Sequence, residues 1–255
     1  MPHSPRPWKQ VATYLASLLA GAALWEVVGR NSPEAFMVPL SATLLRLGEL
    51  ALSGQLLALV TDSLLLFGSG FCLAFLVGVP LGLLIARVPA LRVALESYIV
   101  AAYGTPMAAL IPFILSLMGF GFAPKVLVVL LFSIFPILFN TIEGARSLKP
   151  ELIEVARAYR SSERAFWLDV LLPYTLPFIL TGTRQAIGRG LVGMVVAEFF
   201  LSATGIGRMI MESSRDFDLA SVFAAILIIT ALGVVLMGLG RLLEHHFAAW
   251  RGLER

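Results

Sequence analysis

Cysteine and histidine are almost absent from this sequence. Cys72 is the single cysteine, and the three histidines, His3, His245 and His246, lie near the two ends of the chain. One cysteine cannot form a disulfide within the chain, and no Cys/His cluster has the spacing of a metal site. No aspartate lies deep in an apolar run. These absences argue against a disulfide-stapled domain, a metal centre, and an intramembrane hydrolase that uses a Ser/His pair or paired aspartates.

Charge is scarce as well. Charged residues make up 14% of the chain, whereas soluble domains carry about 25%. Hydrophobic residues make up 58%, and about 20 consecutive apolar residues are enough to cross a bilayer. Six segments meet that length, near residues 11–29, 63–86, 93–117, 124–142, 173–200 and 220–243. The sequence therefore predicts an all-α integral membrane protein with about six transmembrane helices, organised as a single domain over residues 1–255.

Two of these segments have features of their own. The first is interpreted as a retained span rather than a cleaved signal peptide, because Trp25 and Glu26 occupy the place of a small-residue cleavage site. The third is interrupted by Pro106 and Pro112. Such interruptions inside a bilayer often mark a translocation pathway, although kinks that serve packing alone are an equal alternative. Between the first two spans, a leucine-rich stretch opening at Ser41 predicts a helix at the membrane surface.

Lysine and arginine are distributed unequally among the loops. With the N-terminus placed inside, twelve of the 19 basic residues fall in inside segments and five in outside segments, while Arg184 and Arg189 lie within the fifth span. Cytoplasmic loops of membrane proteins are enriched in such residues. The net charge of +3 is therefore interpreted as a topology signal rather than a sign of nucleic-acid binding, and both termini are predicted to be cytoplasmic.

The longest polar interruption, here called the knob, is residues 151–173, ELIEVARAYRSSERAFWLDVLLP, between the fourth and fifth spans. Pro150 suits the first turn of a helix, and the glutamates after it suit the positive end of the helix dipole. Ser161 and Ser162 can end this helix and cap a second one. The pattern predicts two short helices joined by a polar turn, within a cytoplasmic loop over residues 143–172.

The knob resembles the EAA signature of permease subunits of bacterial ABC importers. The matching positions are Glu154, Ala156, Val170, Leu172 and Pro173, and Val155 is a mild change from the alanine of the signature. Arg160 departs from the signature, because it occupies a position where a glycine is expected. Glycine there would allow a left-handed turn. With Arg160, either the turn must differ or the backbone must carry modest strain.

The resemblance extends over about residues 36–250, and within the family the chain is similar to the nitrate/sulfonate/taurine-type branch. It includes the segments VVAEFF (195–200) and TGIGRMI (204–210), the proline-broken third span and the basic closing helix. It implies the type I importer permease fold in a bacterial inner membrane. The implied partners are a second permease copy, two cytoplasmic ABC ATPase subunits, a periplasmic or lipid-anchored solute-binding protein, and membrane lipid.

This chain is not expected to be an enzyme or to bind a cofactor. It has no glycine-rich phosphate loop ending in Lys-Ser or Lys-Thr, so ATP and Mg²⁺ would be bound by the partner ATPase. The expected function is a pathway for a small, anionic solute of the sulfonate, nitrate, taurine or aromatic carboxylate class. The alternative is an ATP-independent channel or secondary transporter, which would not need the knob and should show an internal repeat, of which the sequence gives no sign.

Three groups of candidate site residues can be named. Those expected to couple to the ATPase are Glu154, Val155, Ala156, Arg157, Tyr159, Arg160 and Ser161. Charges within spans are costly and are therefore candidates for function, and the proline-broken span adds further ones. The pathway candidates are Arg184, Arg189, Glu198, Tyr103, Thr105, Met107 and Phe113. The candidates for contact with the binding protein are Arg208, Glu212 and Arg215.

Several of these candidates have structural alternatives. Glu154 could simply stabilise the start of its own helix. Arg189 could face the pathway, pair with an acid, or extend its charged end toward the membrane surface. Glu198 could pair with an arginine of its own or the partner subunit. Arg184 could serve a gate or the packing between subunits.

Overall fold

The structure, a computed structural model, describes residues 7–33, 36–201 and 204–248. Within these ranges it contains helices, turns and loops, with no strand. The helices are α1 (Pro7–Asn31), α2 (Leu40–Leu52), α3 (Gln55–Arg87), α4 (Pro89–Gly104), α5 (Ile111–Met118), α6 (Phe122–Arg146), α7 (Pro150–Ala158), α8 (Glu163–Ala165), α9 (Leu172–Leu201), α10 (Ile206–Arg215) and α11 (Leu219–Ala248). A 3₁₀ turn (Met107–Leu110) precedes α5, and a π-helical segment (Phe166–Leu171) joins α8 to α9.

Five helical stretches are long and apolar enough to cross a membrane. They are Val11–Asn31, Gln55–Arg87, Phe122–Arg146, Glu163–Leu201 and Leu219–Leu242. A sixth crossing is available if α4 and the segment Met107–Met118 count as one bent span. The predicted all-α membrane protein with about six transmembrane helices is therefore confirmed.

The predicted third span is two helices rather than one. They meet at an angle of 93°. Proline disfavours helical geometry in the residue before it, and Thr105, just before Pro106, is extended with φ −75° and ψ 133°. Pro112 instead lies in the first turn of α5, where its missing N–H costs no helical hydrogen bond. Pro106 therefore makes the break, and Pro112 begins the helix that follows.

The core forms where α3, α6 and α9 pack against one another. Leu66 of α3, Val129 of α6 and Met194 of α9 belong to one buried cluster. Small residues let these helices approach closely, as is usual in membrane bundles. A Cβ added at Gly82 would lie 2.8 Å from the Cβ of Thr141, and one at Gly182 would lie 2.7 Å from the carbonyl oxygen of Pro136. The second of these contacts positions α9, which carries three of the seven pathway candidates.

Two glycines of α3 allow the effect of close packing on stability to be distinguished from the effect of helix propensity. A Cβ at Gly70 would lie 2.5 Å from the Cβ of Val129, whereas a Cβ at Gly68 would meet nothing within 4 Å. We expect Gly70→Ala to destabilise the bundle by about 1–3 kcal/mol, because neither helix can move without disturbing the core. Gly68→Ala should be neutral or stabilising by up to about 1 kcal/mol. Thermal unfolding of both purified variants measures the difference, and equal midpoints would contradict this account.

Candidate coupling knob and membrane pathway

The first knob helix, α7, ends in the left-handed turn that the signature glycine would make. Arg160 has φ +52°. The N–H of Ser161 donates to the carbonyl of Ala156 at 2.9 Å, and the N–H of Arg160 donates to the carbonyl of Arg157 at 2.9 Å. This pair of bonds is the Schellman motif, which normally places glycine at the left-handed position. Of the two outcomes predicted for Arg160, the structure shows the second, in which the turn is kept at a cost of about 1–2 kcal/mol.

The second knob helix continues into the membrane without interruption. Ser162 caps it, since its hydroxyl oxygen accepts a hydrogen bond from the N–H of Ala165 at 3.2 Å, as predicted for one of the two serines. The helix then runs through the π-helical segment into α9, giving one stretch of 39 residues over Glu163–Leu201. The π-helical segment ends at Leu171, and Pro173, which has no N–H to donate, is the second residue of α9. The expected two short helices are thus one short helix and the start of a long one.

The base of the knob is tied to the ends of two core helices. The guanidinium of Arg87, the last residue of α3, lies 4.5 Å above the ring of Phe166. The hydroxyl of Tyr174 donates to the carbonyl of Ser147, just after α6, at 2.7 Å. Leu171 is fully buried in the cluster beneath the knob. The knob is therefore anchored to α3, α6 and α9.

The outer side of α7 presents an apolar ridge. Leu152, Val155 and Tyr159 are 38%, 52% and 84% exposed, and their spacing places them along one side of the helix. We call these three residues the α7 ridge. Leu152 was missed in the sequence analysis, although its spacing from Val155 and Tyr159 was available there.

The predicted coupling residues do not all face outward. Exposed side chains are found at Glu154, Val155, Arg157, Tyr159, Arg160 and Ser161. Ala156 instead faces inward with 7% exposure, in the same buried cluster as Leu148 and Phe166. The small side chain of Ala156 allows α7 to pack closely against the base of the knob. The expectation that Ala156 meets a partner surface is corrected accordingly.

Two pathway candidates 86 residues apart come together between α4 and α9. The Nη2 group of Arg189 donates to the hydroxyl of Tyr103 at 3.1 Å, and the guanidinium lies 5.5 Å from the centre of the Tyr103 ring. The Tyr103 ring also packs against Phe135 and Phe139 of α6, at centroid distances of 5.7 and 5.2 Å. The phenol is therefore held in place by one helix while it contacts the cation of another.

The remaining candidates of the broken span lie beyond Tyr103. Thr105, at the bend, donates its hydroxyl to the carbonyl of Ala101 at 3.0 Å. Met107 is half-buried, and Phe113 is 62% exposed on α5. These three follow Tyr103 along the bent pair, on the helices whose angle Pro106 sets.

Arg184, five residues before Arg189, is neutralised within the chain. One of its guanidinium nitrogens lies 3.2 Å from a carboxylate oxygen of Glu244 on α11, and the hydroxyl of Thr181 is 3.5 Å from the other oxygen. Glu244 was missed because it follows the predicted end of the sixth span at residue 243. The arrangement supports a role for Arg184 in holding α9 to α11.

Glu198 is buried and caps the start of α10. Its side chain is almost fully enclosed, with the residue only 2% exposed. Oε1 accepts from the hydroxyl of Ser63 at 2.7 Å, and Oε2 accepts from the N–H of Gly207 at 2.7 Å. The Ser63 oxygen in turn accepts from the N–H of Ile206 at 3.0 Å. Two otherwise unpaired N–H groups at the helix start are satisfied in this way, and the geometry favours this capping role over pairing with arginine.

The glycines of the TGIG segment make room for this carboxylate. Gly205 has φ +101°, and a Cβ there would collide with the carboxylate of Glu198. A Cβ at Gly207 would lie 2.7 Å from the Cβ of Glu198. The two glycines therefore allow the backbone at the start of α10 to approach the side chain of Glu198 closely.

Glu26 caps the start of α2 in the same way as Glu198 caps the start of α10. Oε2 of Glu26 accepts from the N–H of Ser41 at 2.9 Å, and Oε1 accepts from the hydroxyl of the same residue at 2.9 Å. Arg30, one turn further along α1, pairs with Glu26 at 2.6 Å. Two acidic residues of membrane helices are thus the caps of the two short helices at the end of the bundle opposite the knob.

That opposite end carries a polar cleft. It has a volume of about 500 Å³ and lies between α2, α3, α10 and the start of α11. Its charged lining residues are Arg46, Asp62, Arg208, Glu212, Asp216 and Asp218. Arg208 pairs with Glu212, whose pKa is lowered because Arg208 donates a hydrogen bond to it. Of the three predicted binding-protein contacts, Arg208 and Glu212 line the cleft, and Arg215 lies at the exposed end of α10.

Metal binding finds no support in the described ranges. Among those residues, no group of three or more His, Cys, Asp or Glu side chains is placed to hold a metal ion. The chemistry available at the sites above is ionic, hydrogen-bonding and apolar.

Known proteins resemble this chain over most of its length. The family described as "Binding-protein-dependent transport system inner membrane component" matches residues 78–248. The putative aliphatic sulfonates transport permease protein SsuC of Bacillus subtilis is 31% identical over 251 residues, covering 96% of this chain and 91% of the relative. The bicarbonate transport system permease protein CmpB of Synechocystis is 30% identical over 168 residues, covering 66% of this chain and 60% of the relative.

Solved structures give the fold. A chain of the MetNI methionine ABC transporter, in an inward-facing conformation, superimposes with a TM-score of 0.66 over 76% of this chain and 98% of that one, at 16% identity. This likeness confirms the expected type I permease fold.

Proposed function

The chain belongs to the family of inner membrane components of binding-protein-dependent transport systems, the permeases of ABC importers, and on that premise we propose how it assembles and couples. Two copies form the translocation pathway, and each knob contacts one of two ABC ATPase subunits. A periplasmic or lipid-anchored solute-binding protein delivers the solute at the opposite end. The ATPase subunits bind ATP and Mg²⁺, so this chain contributes the pathway and the mechanical coupling.

The α7 ridge is the single observation that carries the coupling role. Three apolar side chains project from a short helix whose base is tied to the core, and the charged residues Glu154 and Arg157 flank them. Aromatic and apolar anchors that fill a partner's pocket supply most of the affinity in protein interfaces. When the ATPase dimer closes on ATP, the docked ridge moves with it, and the contacts of Arg87 and Tyr174 carry that motion to the membrane helices.

The knob and both termini are placed in the cytoplasm of a bacterial cell, because most basic residues then lie inside. The polar cleft then faces the outside, where a binding protein approaches. Arg208, Glu212 and Arg215 are the proposed contacts there. Both signs of charge are present, so ionic complementarity would steer and orient the binding protein on docking.

The proposed solute is a small anion such as an aliphatic sulfonate. Two observations support this: the printed substrates of two relatives are aliphatic sulfonates and bicarbonate, and an arginine stands within the fifth span. An ATP-independent channel or secondary transporter is not favoured, because neither needs a protruding, anchored knob.

The test is reconstitution of the complete transporter. The tagged chain is purified from its own cells with the ATPase and binding protein that accompany it, and placed in proteoliposomes. We expect uptake of radiolabelled ethanesulfonate that requires ATP and the binding protein. Uptake without ATP, from chain that purifies with no ATPase, would establish the channel or secondary transporter instead.

A further inference from the structure

We propose that Arg189, Tyr103 and Gln185 form an oxyanion-binding subsite partway along the translocation pathway. The inference rests on the proposed function in that it names the solute class that the pathway admits. It assigns part of the selectivity to the permease itself, in addition to the binding protein that delivers the solute.

The charge of Arg189 is not balanced by any described residue. Among the ion pairs within the described ranges, Arg184 is matched with Glu244 and Arg146 with Glu96, whereas the contacts of Arg189 are the neutral hydroxyl and ring of Tyr103. An uncompensated cation inside a span is costly and is a candidate for function by default. Arg189 therefore differs from Arg184, although both belong to the same helix.

A second copy of the chain is poorly equipped to supply the missing negative charge. Four acids of its membrane helices are already engaged, Glu26 by Ser41 and Arg30, Glu198 by Ser63 and Gly207, Glu244 by Arg184, and Glu96 by Arg146. The others lie away from the depth of Arg189, Asp62 in the polar cleft and Glu143 and Asp169 at the knob end of the bundle. The same bonds recur in every copy. An anion that passes through the pathway is then the natural counter-charge for Arg189.

The depth of Arg189 points to water rather than lipid. It lies twelve residues before the end of α9 at Leu201, or about 18 Å along the helix axis. Its side chain is exposed, while its neighbours Ile187 and Gly190 are buried in the core. An arginine that faced lipid at this depth would cost roughly 3 kcal/mol or more, so this side of α9 borders an aqueous path. Lipid headgroups do not extend so far into the bilayer.

The groups beside Arg189 are hydrogen-bond donors. Gln185 lies one turn before it on α9 and is also exposed. The Gln185 side-chain oxygen accepts from the side-chain nitrogen of Asn140 at 3.3 Å, which leaves the Gln185 amide nitrogen as a donor. The Tyr103 hydroxyl, which accepts from Arg189, keeps its own hydrogen to donate. Arginine offers five N–H groups in a planar fork that matches oxyanions, and one bond to Tyr103 leaves the others available.

These donors suit a sulfonate or bicarbonate group. Such an anion has several acceptor oxygens and a single negative charge, so it can accept from Arg189, Tyr103 and Gln185 together. The packing of Tyr103 against Phe135 and Phe139 holds its hydroxyl in position before the solute arrives. Preorganised donors reduce the cost of ordering on binding. The subsite should nevertheless be weak, because the solute must also leave it.

The test measures weak binding directly, without the ATPase. The full chain in lipid nanodiscs is titrated with ethanesulfonate, and binding is followed by saturation-transfer difference NMR. We expect a saturable signal for the wild-type chain that Arg189→Gln weakens at least about tenfold, as loss of a charged hydrogen-bonding partner does. Arg189→Lys should keep part of the binding, and Tyr103→Phe should weaken it about threefold. Dimethyl sulfone, a neutral analogue, should give no signal that depends on Arg189.

The control is Val192→Leu, an exposed apolar residue three positions further along α9, which should bind as the wild type does. Equal ethanesulfonate binding by wild type, Arg189→Gln and Arg189→Lys overturns the subsite, as does equal signal from empty nanodiscs. If Arg189→Gln does not fold, unchanged binding in both Arg189→Lys and Tyr103→Phe overturns it as well. Binding without ATP-driven uptake would retain the subsite and reject the proposed importer function, so the two failures are distinguishable.

Discussion

Replacing Val155 by aspartate should separate the ATPase from the permease while leaving the membrane core folded. Val155 is 52% exposed in the centre of the α7 ridge, so the new charge would stay in water in the free chain. In the docked complex it would be buried in an apolar pocket without a partner, which costs about 2 kcal/mol or more. We expect co-purification of the ATPase to fall at least about tenfold, and ATP-driven uptake to fall with it.

Two neighbouring substitutions show whether this effect belongs to the ridge. Arg160→Gly keeps the left-handed turn and relieves the cost of placing a side chain there, so it should bind the ATPase as the wild type does. Ala156→Arg would instead force a charge into the buried base of the knob. It should lower thermal stability as well as binding, which Val155→Asp should not. Wild-type recovery of the ATPase with Val155→Asp would show that the ridge is not the docking surface.

Replacing Glu198 by alanine should loosen the end of the bundle opposite the knob. The substitution leaves the Gly207 N–H and the Ser63 hydroxyl without their acceptor in a buried site. An unsatisfied buried group costs about 1–3 kcal/mol, and a helix cap contributes about 1 kcal/mol. We therefore expect a loss of roughly 2–4 kcal/mol in the free energy of unfolding, together with faster hydrogen exchange at the first amides of α10.

Glu26→Ala is the matched control for this prediction. By the same geometry it removes the acceptor for Ser41 at the start of α2, so faster exchange should appear in α2 and leave α10 protected. Glu198→Gln, which keeps one acceptor oxygen, should be less destabilised than Glu198→Ala. Unchanged exchange at Ile206 and Gly207 in Glu198→Ala would refute the capping role.

Some parts of this protein are accessible from local patterns. The membrane-spanning segments can be recognised because the free energy of transfer to lipid depends on the composition of each stretch of about 20 residues, independently of the rest of the chain. The knob follows from the polar run at 151–173, and the cap at Ser162 follows from a spacing of three residues. The distribution of lysine and arginine predicts the topology, and the EAA resemblance leads to the importer family. Each of these signals either lies within one short segment or is a count summed over the whole chain. Such signals can be recognised from the sequence without the tertiary structure.

Only the tertiary structure decides which charges meet and which faces are hidden. Ala156 fits the signature as a contact residue, yet it turns inward because α7 packs on Phe166. Glu198 and Arg189 both stand out as charges in one helix, but one caps α10 and the other lies on Tyr103. Glu198 and its partner Ser63 are 135 residues apart. Such pairings depend on how helices distant in sequence approach, which the close contacts at glycines set, and no local pattern carries that information.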